Sequence, residues 1–80
     1  MVGDVIEHLV SGIVAHPDDV DVRSKELRRG PLYEVRVHPR DLGKVIGRQG
    51  RTATAIRKVV NALADDDNVR IDFVDTDRRS

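Results

Sequence analysis

Residues 43–51 read Gly43-Lys44-Val45-Ile46-Gly47-Arg48-Gln49-Gly50-Arg51. Two glycines three positions apart, with cations before, between and after them, suit one kind of chemistry: holding a phosphate backbone. Glycine permits positive φ and close approach of the main chain. Lys44, Arg48 and Arg51 supply charge, and Gln49 a neutral donor. A helix starting at Arg51 would aim its free amide N–H groups at the same place. Other phosphate motifs fail. No Gly-Lys-Ser/Thr is present, so a P-loop is excluded, and the glycines do not give Gly-x-Gly-x-x-Gly within a βαβ unit. No nucleophile, base and orienting group form a set, so catalysis is not expected. His8, His16 and His38 lack metal-ligand spacing and read as surface or capping residues. Asp65–Asp67 reads as a solvated helix terminus. No metal or cofactor is called for.

The elements that must position this turn follow from periodicity. Val5, Ile6, Leu9, Val10, Ile13 and Val14 repeat at helix spacing, with Asp4 as N-cap, Glu7 three residues later, and Pro17 stopping the helix near His16. Val20 and Val22 alternate with Asp21 and Arg23 as a strand. Leu27 falls out of phase, which places a bulge or the strand end near Ser24–Glu26. Arg29-Gly30-Pro31 is a turn. Tyr33, Val35 and Val37 form a second strand, joined to the first as an antiparallel hairpin. Pro39 ends it. Asp41 to Ile46 is a helix of one or two turns, closed by Gly47. Arg51 to about Ala64 is a longer helix with Ala53, Ile56, Val59, Val60 and Leu63 facing inward. Val69, Ile71 and Phe73 make a third strand, and 75–80 read as a fraying polar tail. The order is α-β-β-α-α-β. The last strand arrives through a helical crossover and should pair parallel to the second. The fold class is therefore α+β: a three-stranded mixed sheet with three helices on one face, one domain over 1–80.

The chain has 80 residues, no cysteine and a net charge of zero. A chain this short buries only about 60% of its unfolded surface. No apolar run reaches the ~20 residues of a membrane span and no signal segment opens the chain, so the expected setting is cytosolic. Zero net charge hides segregation. Residues 1–22 carry five acids and no Lys or Arg. Residues 23–60 carry eleven Lys or Arg and three acids, and residues 61–80 six acids and three Arg. Positive charge gathers around the glycine turn.

Val-Ile-Gly-Arg-Gln-Gly-Arg, followed by a helix with Ile56 inside, resembles the GXXG loop of the KH (K-homology) family, which clamps about four nucleotides. The element order resembles the bacterial-type, or type II, KH fold, over residues 1 to about 74. The resemblance implies a groove for single-stranded RNA, or single-stranded DNA. One wall is the short helix, the turn and the start of the long helix. The other is a sheet edge with the turn Arg28-Arg29-Gly30-Pro31. Gly47 and Gly50 would let sugar–phosphate lie against the main chain. Arg48, Gln49, Lys44 and Arg51 would contact phosphate or sugar. Val45, Ile46 and Ile56 would touch bases or fill the core. Arg57 and Lys58 read as outer-face residues that meet solvent or a distal phosphate. Small stand-alone bacterial KH proteins are implied to act as RNA chaperones or post-transcriptional regulators, as homodimers or with a second, larger KH-containing protein.

Tyr33 and Phe73 are the only aromatics and both fall on the inward pattern. A stacking platform of the RRM or OB kind is therefore excluded. Three or four phosphate contacts on a single strand imply a salt slope of about −2 to −3, so useful binding calls for two KH units. Two other readings compete. A duplex-DNA helix–turn–helix would use Arg51, Thr52 and Thr54, but its first helix is too short. A protein-interaction module would leave the groove idle.

Overall fold

The computed structural model describes residues 2–65 and 68–76. The elements are α1 (Val2–Ser11), β1 (Asp21–Leu27), β2 (Gly30–Val37), α2 (Leu42–Ile46), α3 (Arg51–Ala64) and β3 (Arg70–Asp75). Short 3₁₀ turns lie at Pro17–Asp19, Pro39–Asp41 and Arg48–Gly50. The α-β-β-α-α-β order and mixed sheet are those expected. Strand order is β1-β2-β3, with β1 antiparallel and β3 parallel to β2.

Hydrophobic patterning builds the core. Ile6 and Val10 of α1, Val45 of α2, and Ala53, Ile56 and Val60 of α3 pack on Val35, Val37, Ile71 and Phe73 of the sheet. Burying one such side chain contributes about 1.5–3 kcal/mol. The inward stripe of α3 is narrower than the sequence pattern suggested. Val59 and Leu63 are exposed, because the 53/56/60 stripe turns them away from the sheet. Leu63 instead lines a shallow surface cleft of about 230 Å³ with Val2, Val5 and Val60.

Several boundaries differ from the sequence reading. α1 starts at Val2, so Asp4 lies inside its first turn, and the helix ends at Ser11 rather than near His16. Ile13 and Val14 still point their amides back at the Val10 carbonyl (2.9 and 3.2 Å), and Ile13 is exposed. No bulge interrupts β1: its register runs unbroken from Asp21↔Arg36 to Leu27↔Gly30. Leu27 takes its regular place on the outer face of an edge strand and stays exposed. The hairpin turn is Arg28-Arg29, and Gly30 and Pro31 already belong to β2. Asp75 is the last residue of β3, paired with Val37, and the Thr76 amide donates to the Val37 carbonyl at 2.9 Å. The expected tail is thus shorter than 75–80, and residues 77–80 lie outside the described residues.

Candidate nucleic-acid interface

The Gly-x-x-Gly turn is built from unusual backbone. Gly47 has φ +76°, Gln49 φ +56° and Gly50 φ +73°. The Gly47 amide closes α2 on the Gly43 carbonyl at 2.8 Å, and the Gly50 amide returns to the Gly47 carbonyl at 3.2 Å. Gly50 then precedes the first turn of α3.

The two glycines are required for different reasons. A Cβ on Gly47 would lie 2.8 Å from Thr52 Cβ and 2.9 Å from the Thr52 amide nitrogen. The space beside Gly47 is thus filled by this chain's own Thr52. That corrects the expectation that both glycines clear a path for a ligand. Beside Gly50, apart from its chain neighbours, nothing among the described residues lies within 4 Å of where a Cβ would sit. Of the two turn glycines, it is at Gly50 that the missing side chain leaves the main chain open to another molecule.

Arg48, Gln49 and Arg51 are exposed around this opening. Among the described residues, Arg48 and Arg51 have no ion-pair partner. Arg23, Lys25 and Arg36 do, with Asp21 and Glu34 at 2.9–3.5 Å. Ile46 is 37% exposed and available to a ligand. Val45 has no exposed surface and Ile56 only 5%. Both belong to the core, so Val45 braces the turn from beneath and touches nothing outside.

Arg28 and Arg29 are exposed, but they are not beside the Gly-x-x-Gly turn. Gly30, with φ +126°, packs on Asn68, whose Cβ and carbonyl oxygen lie 3.1 Å from where a Cβ would sit. The hairpin turn therefore abuts the segment that follows α3. The glycine turn precedes α3, and a helix of 14 residues rises about 21 Å. The two turns stand at opposite ends of α3.

Arg57 lies midway along α3 and is exposed, as expected, but its side chain reaches back onto β3. Its guanidinium donates to the Ile71 carbonyl at 3.4 Å and sits 6.0 Å from the centre of the Phe73 ring. It lines a groove of about 460 Å³ with Leu27, Leu32, Ile71 and Asp72. The signal was in the numbering: position 57 is four after Ala53 and three before Val60, at the border of the buried stripe.

A second feature was missed. Asp41, expected to open α2, is a fully buried acid. Its carboxylate makes no capping bond to α2. It accepts instead from the Ala15 amide (3.2 Å), the His16 amide (2.9 Å) and His16 Nδ1 (2.9 Å). Burial alone would push this carboxyl up, but the His16 ring and the two amides outweigh it and hold it below its ordinary value. The His16 ring stacks on His38 at 4.0 Å and 15°. His38 caps the next turn, its Nδ1 accepting from the Arg40 amide at 3.0 Å. The Lys44 ammonium lies 3.7 Å from Asp41 Oδ1. This clasp ties the middle of the α1–β1 loop to the foot of α2. The sequence carried no sign of it, because its partners are 25 and 26 residues apart.

Among the described residues, no group of three His, Asp or Glu is placed to hold a metal ion, and no helix is long and apolar enough to cross a membrane.

With this geometry in view, the comparisons agree with one another. A family model described as the KhpA/KhpB KH domain matches residues 3–74. The chain is 61% identical over 77 residues to the RNA-binding protein KhpA of Streptomyces coelicolor, covering 96% of each. It is 56% identical over 78 residues to the RNA-binding protein KhpA of Mycobacterium tuberculosis, covering 98% of this chain and 96% of that one. The likeness to the RNA-binding protein KhpA of Halalkalibacterium halodurans is 47% over 73 residues, covering 89% of this chain and 96% of that one. No solved structure gives a significant match.

Proposed function

We propose that this chain, which belongs to the KhpA/KhpB KH-domain family, is a non-enzymatic protein that binds single-stranded RNA through the turn at residues 47–50. The supporting observation is the conjunction at Gly50. Its main chain faces open space, at the start of a 14-residue helix, between two exposed arginines that have no ion-pair partner among the described residues. A phosphate there meets helix-end amides and two guanidinium groups together. Arg48, Gln49, Gly50 and Arg51 form the primary contact, Gly47 shapes the turn, Lys44 and Ile46 flank it, and Val45 supports it from the core. Arg28 and Arg29 lie toward the far end of α3, a helix of 14 residues that rises about 21 Å. They serve a longer strand, with Arg57 between.

The physiological reading is an RNA chaperone or post-transcriptional regulator acting in the cytoplasm, with residues 1–80 as one KH unit. A single small groove binds weakly, so we assign a second KH unit, either another copy or a larger protein of the KhpB (Jag) type. The apolar cleft at Val2, Val5, Val60 and Leu63 suits such contact.

The test is Arg48→Asp with Gln49→Asp. Aspartate tolerates the positive φ of position 49, so circular dichroism and melting temperature should stay near wild type. Binding to single-stranded RNA should fall at least about 30-fold, since each charge-assisted contact is worth ~1.5–3 kcal/mol. Unchanged binding would remove the turn from the mechanism. Tighter binding of duplex DNA than of single-stranded RNA at equal salt would favour a duplex reader, against which the five-residue α2 argues.

A further inference from the structure

The Asp41 carboxylate divides its two oxygens between two parts of the chain. Oδ2 is taken by the His16 amide and by His16 Nδ1, both at 2.9 Å. Oδ1 receives the Ala15 amide at 3.2 Å and faces the Lys44 ammonium at 3.7 Å. Lys44 is half exposed and lies three residues before Gly47. One buried negative charge is thus shared between a titratable ring and a cation that flanks the RNA turn.

We propose that His16 and Lys44 are coupled through Asp41, so that protonation of His16 releases Lys44 to RNA phosphate and makes RNA binding proton-linked. Asp41 is a positioning residue in this scheme, since it acts on the ligand only through Lys44. While His16 is neutral, Asp41 keeps its full charge and draws Lys44 back toward the foot of α2. An imidazolium at 2.9 Å neutralises that charge, and the pull on Lys44 weakens. The pair is buried on the Asp41 side, where solvent and salt screen it poorly. Coupling of this kind is reciprocal: phosphate on Lys44 favours a proton on His16 by the same factor.

The groups that face the cluster are few. Lys44 comes from α2. His38, at the end of β2, stacks on the far side of the His16 ring at 4.0 Å. Its Nδ1 accepts the Arg40 amide, so that nitrogen carries no proton while the cap stands. Asp18 and Asp19 follow His16 in an exposed 3₁₀ turn, with the Asp19 amide donating to the His16 carbonyl at 3.1 Å. No other imidazole touches Asp41 among the described residues.

The inference rests on the turn being the RNA site, and the experiment separates the two. A fluorescein-labelled single-stranded RNA of mixed sequence, about 12 nucleotides long, is titrated by anisotropy at constant salt from about pH 8 to about pH 6, the range over which histidines change charge. Wild type should tighten about three- to fivefold, the most an exposed ion pair delivers. His16→Asn keeps a side-chain N–H donor toward Asp41 but cannot titrate. It should match wild type at the high-pH end and lose the rise. Lys44→Gln, a half-exposed position, should bind more weakly and also lose the rise. His8→Asn, at an exposed residue outside the cluster, should keep it. Calorimetry in buffers of different ionisation enthalpy should record proton uptake on RNA binding by wild type and none by His16→Asn. An undiminished rise in His16→Asn or Lys44→Gln overturns the inference, as does equal proton uptake. If Arg48→Asp with Gln49→Asp also binds like wild type, the RNA site itself is wrong and both fall. If that variant loses binding while His16→Asn keeps its rise, only the coupling falls.

Discussion

Two turns of this molecule look alike in sequence and differ in what they offer a ligand. Arg28-Arg29-Gly30 and Arg48-Gln49-Gly50 each end an arginine-bearing stretch on a glycine with positive φ, +126° and +73°. At Gly30 the missing Cβ makes room for Asn68 of the same chain. At Gly50 it makes room for nothing among the described residues. The first turn joins two strands and the second leads into a 14-residue helix. Charge and glycine alone therefore do not make a phosphate site. The direction in which the absent side chain would have pointed decides whether the gap belongs to the fold or to a partner.

The largest effect should come from reversing charge at the two turns in parallel. Arg28→Asp with Arg29→Asp should weaken RNA binding only about two- to fourfold, as for distant and screened contacts. The double substitution at 48 and 49 should cost at least about 30-fold. Anisotropy with one RNA at one salt concentration compares them directly. Equal losses would mean that the open glycine confers no advantage.

The next comparison lies inside the turn. Gly47→Ala adds both a strained φ and an overlap with Thr52, and should destabilise by about 2–4 kcal/mol in denaturant unfolding. Gly50→Ala meets no atom and should cost only the left-handed conformation, about 1–2 kcal/mol. Its RNA affinity should fall more than its stability suggests, because the new methyl group occupies the open face. Thr52→Ala should recover part of the Gly47→Ala loss and none of the Gly50→Ala loss.

What was legible in the sequence follows from the range of the interaction. Periodicity of Ile6 and Val10, of Val35 and Val37, and of Ala53, Ile56 and Val60 is local, and it gave the element order and the sheet. The Gly-x-x-Gly turn was legible because both glycines and both arginines fall within four residues of one another. Whether Val45 touched bases or filled the core stayed open in the sequence, because an apolar residue beside a turn carries no mark of which way it faces. Gly47 looked open because its neighbour Thr52 comes back upon it only once α3 has formed. The Asp41–His16 clasp stayed hidden, since residues 25 positions apart meet only through the packing of the α1–β1 loop on the foot of α2. Arg57 fell between these cases: its place beside the buried stripe was readable, but not that β3 would lie within its reach.

Arg57 tests whether the two turns belong to one surface. It stands between them on α3, over Phe73 and against the Ile71 carbonyl. Arg57→Ala should cost about 0.5–1 kcal/mol of stability from the lost cation–π contact. Its effect on RNA should grow with strand length. A strand of about four nucleotides, held at the glycine turn alone, should bind nearly as well as to wild type. One long enough to pass along α3 toward Arg28 and Arg29 should lose about threefold. A loss independent of length would place Arg57 in the core of the site rather than on the path between its ends.

The smallest effect is on acid stability, and it again sets a local contact against a distant one. Glu34 is held below its ordinary value first by its hydrogen bond from Arg36 at 3.0 Å, against the opposing effect of partial burial, with Lys25 helping. Asp41 is held low against its burial by the His16 ring and two amides. In both, the folded chain binds its proton less readily than the unfolded chain. The stabilisation is therefore present in full above the unfolded carboxylate range and is lost as pH falls below about 4. Glu34→Gln should flatten part of the acid limb of a melting-temperature profile and leave the RNA turn untouched, because its partners lie on strands. Asp41→Asn should flatten another part and also shift the amide resonances of residues 47–50, because Asp41 stands at the foot of the helix that carries them. Should both variants change the profile yet neither move those resonances, the clasp would be an anchor for the loop alone, with no hold on the turn.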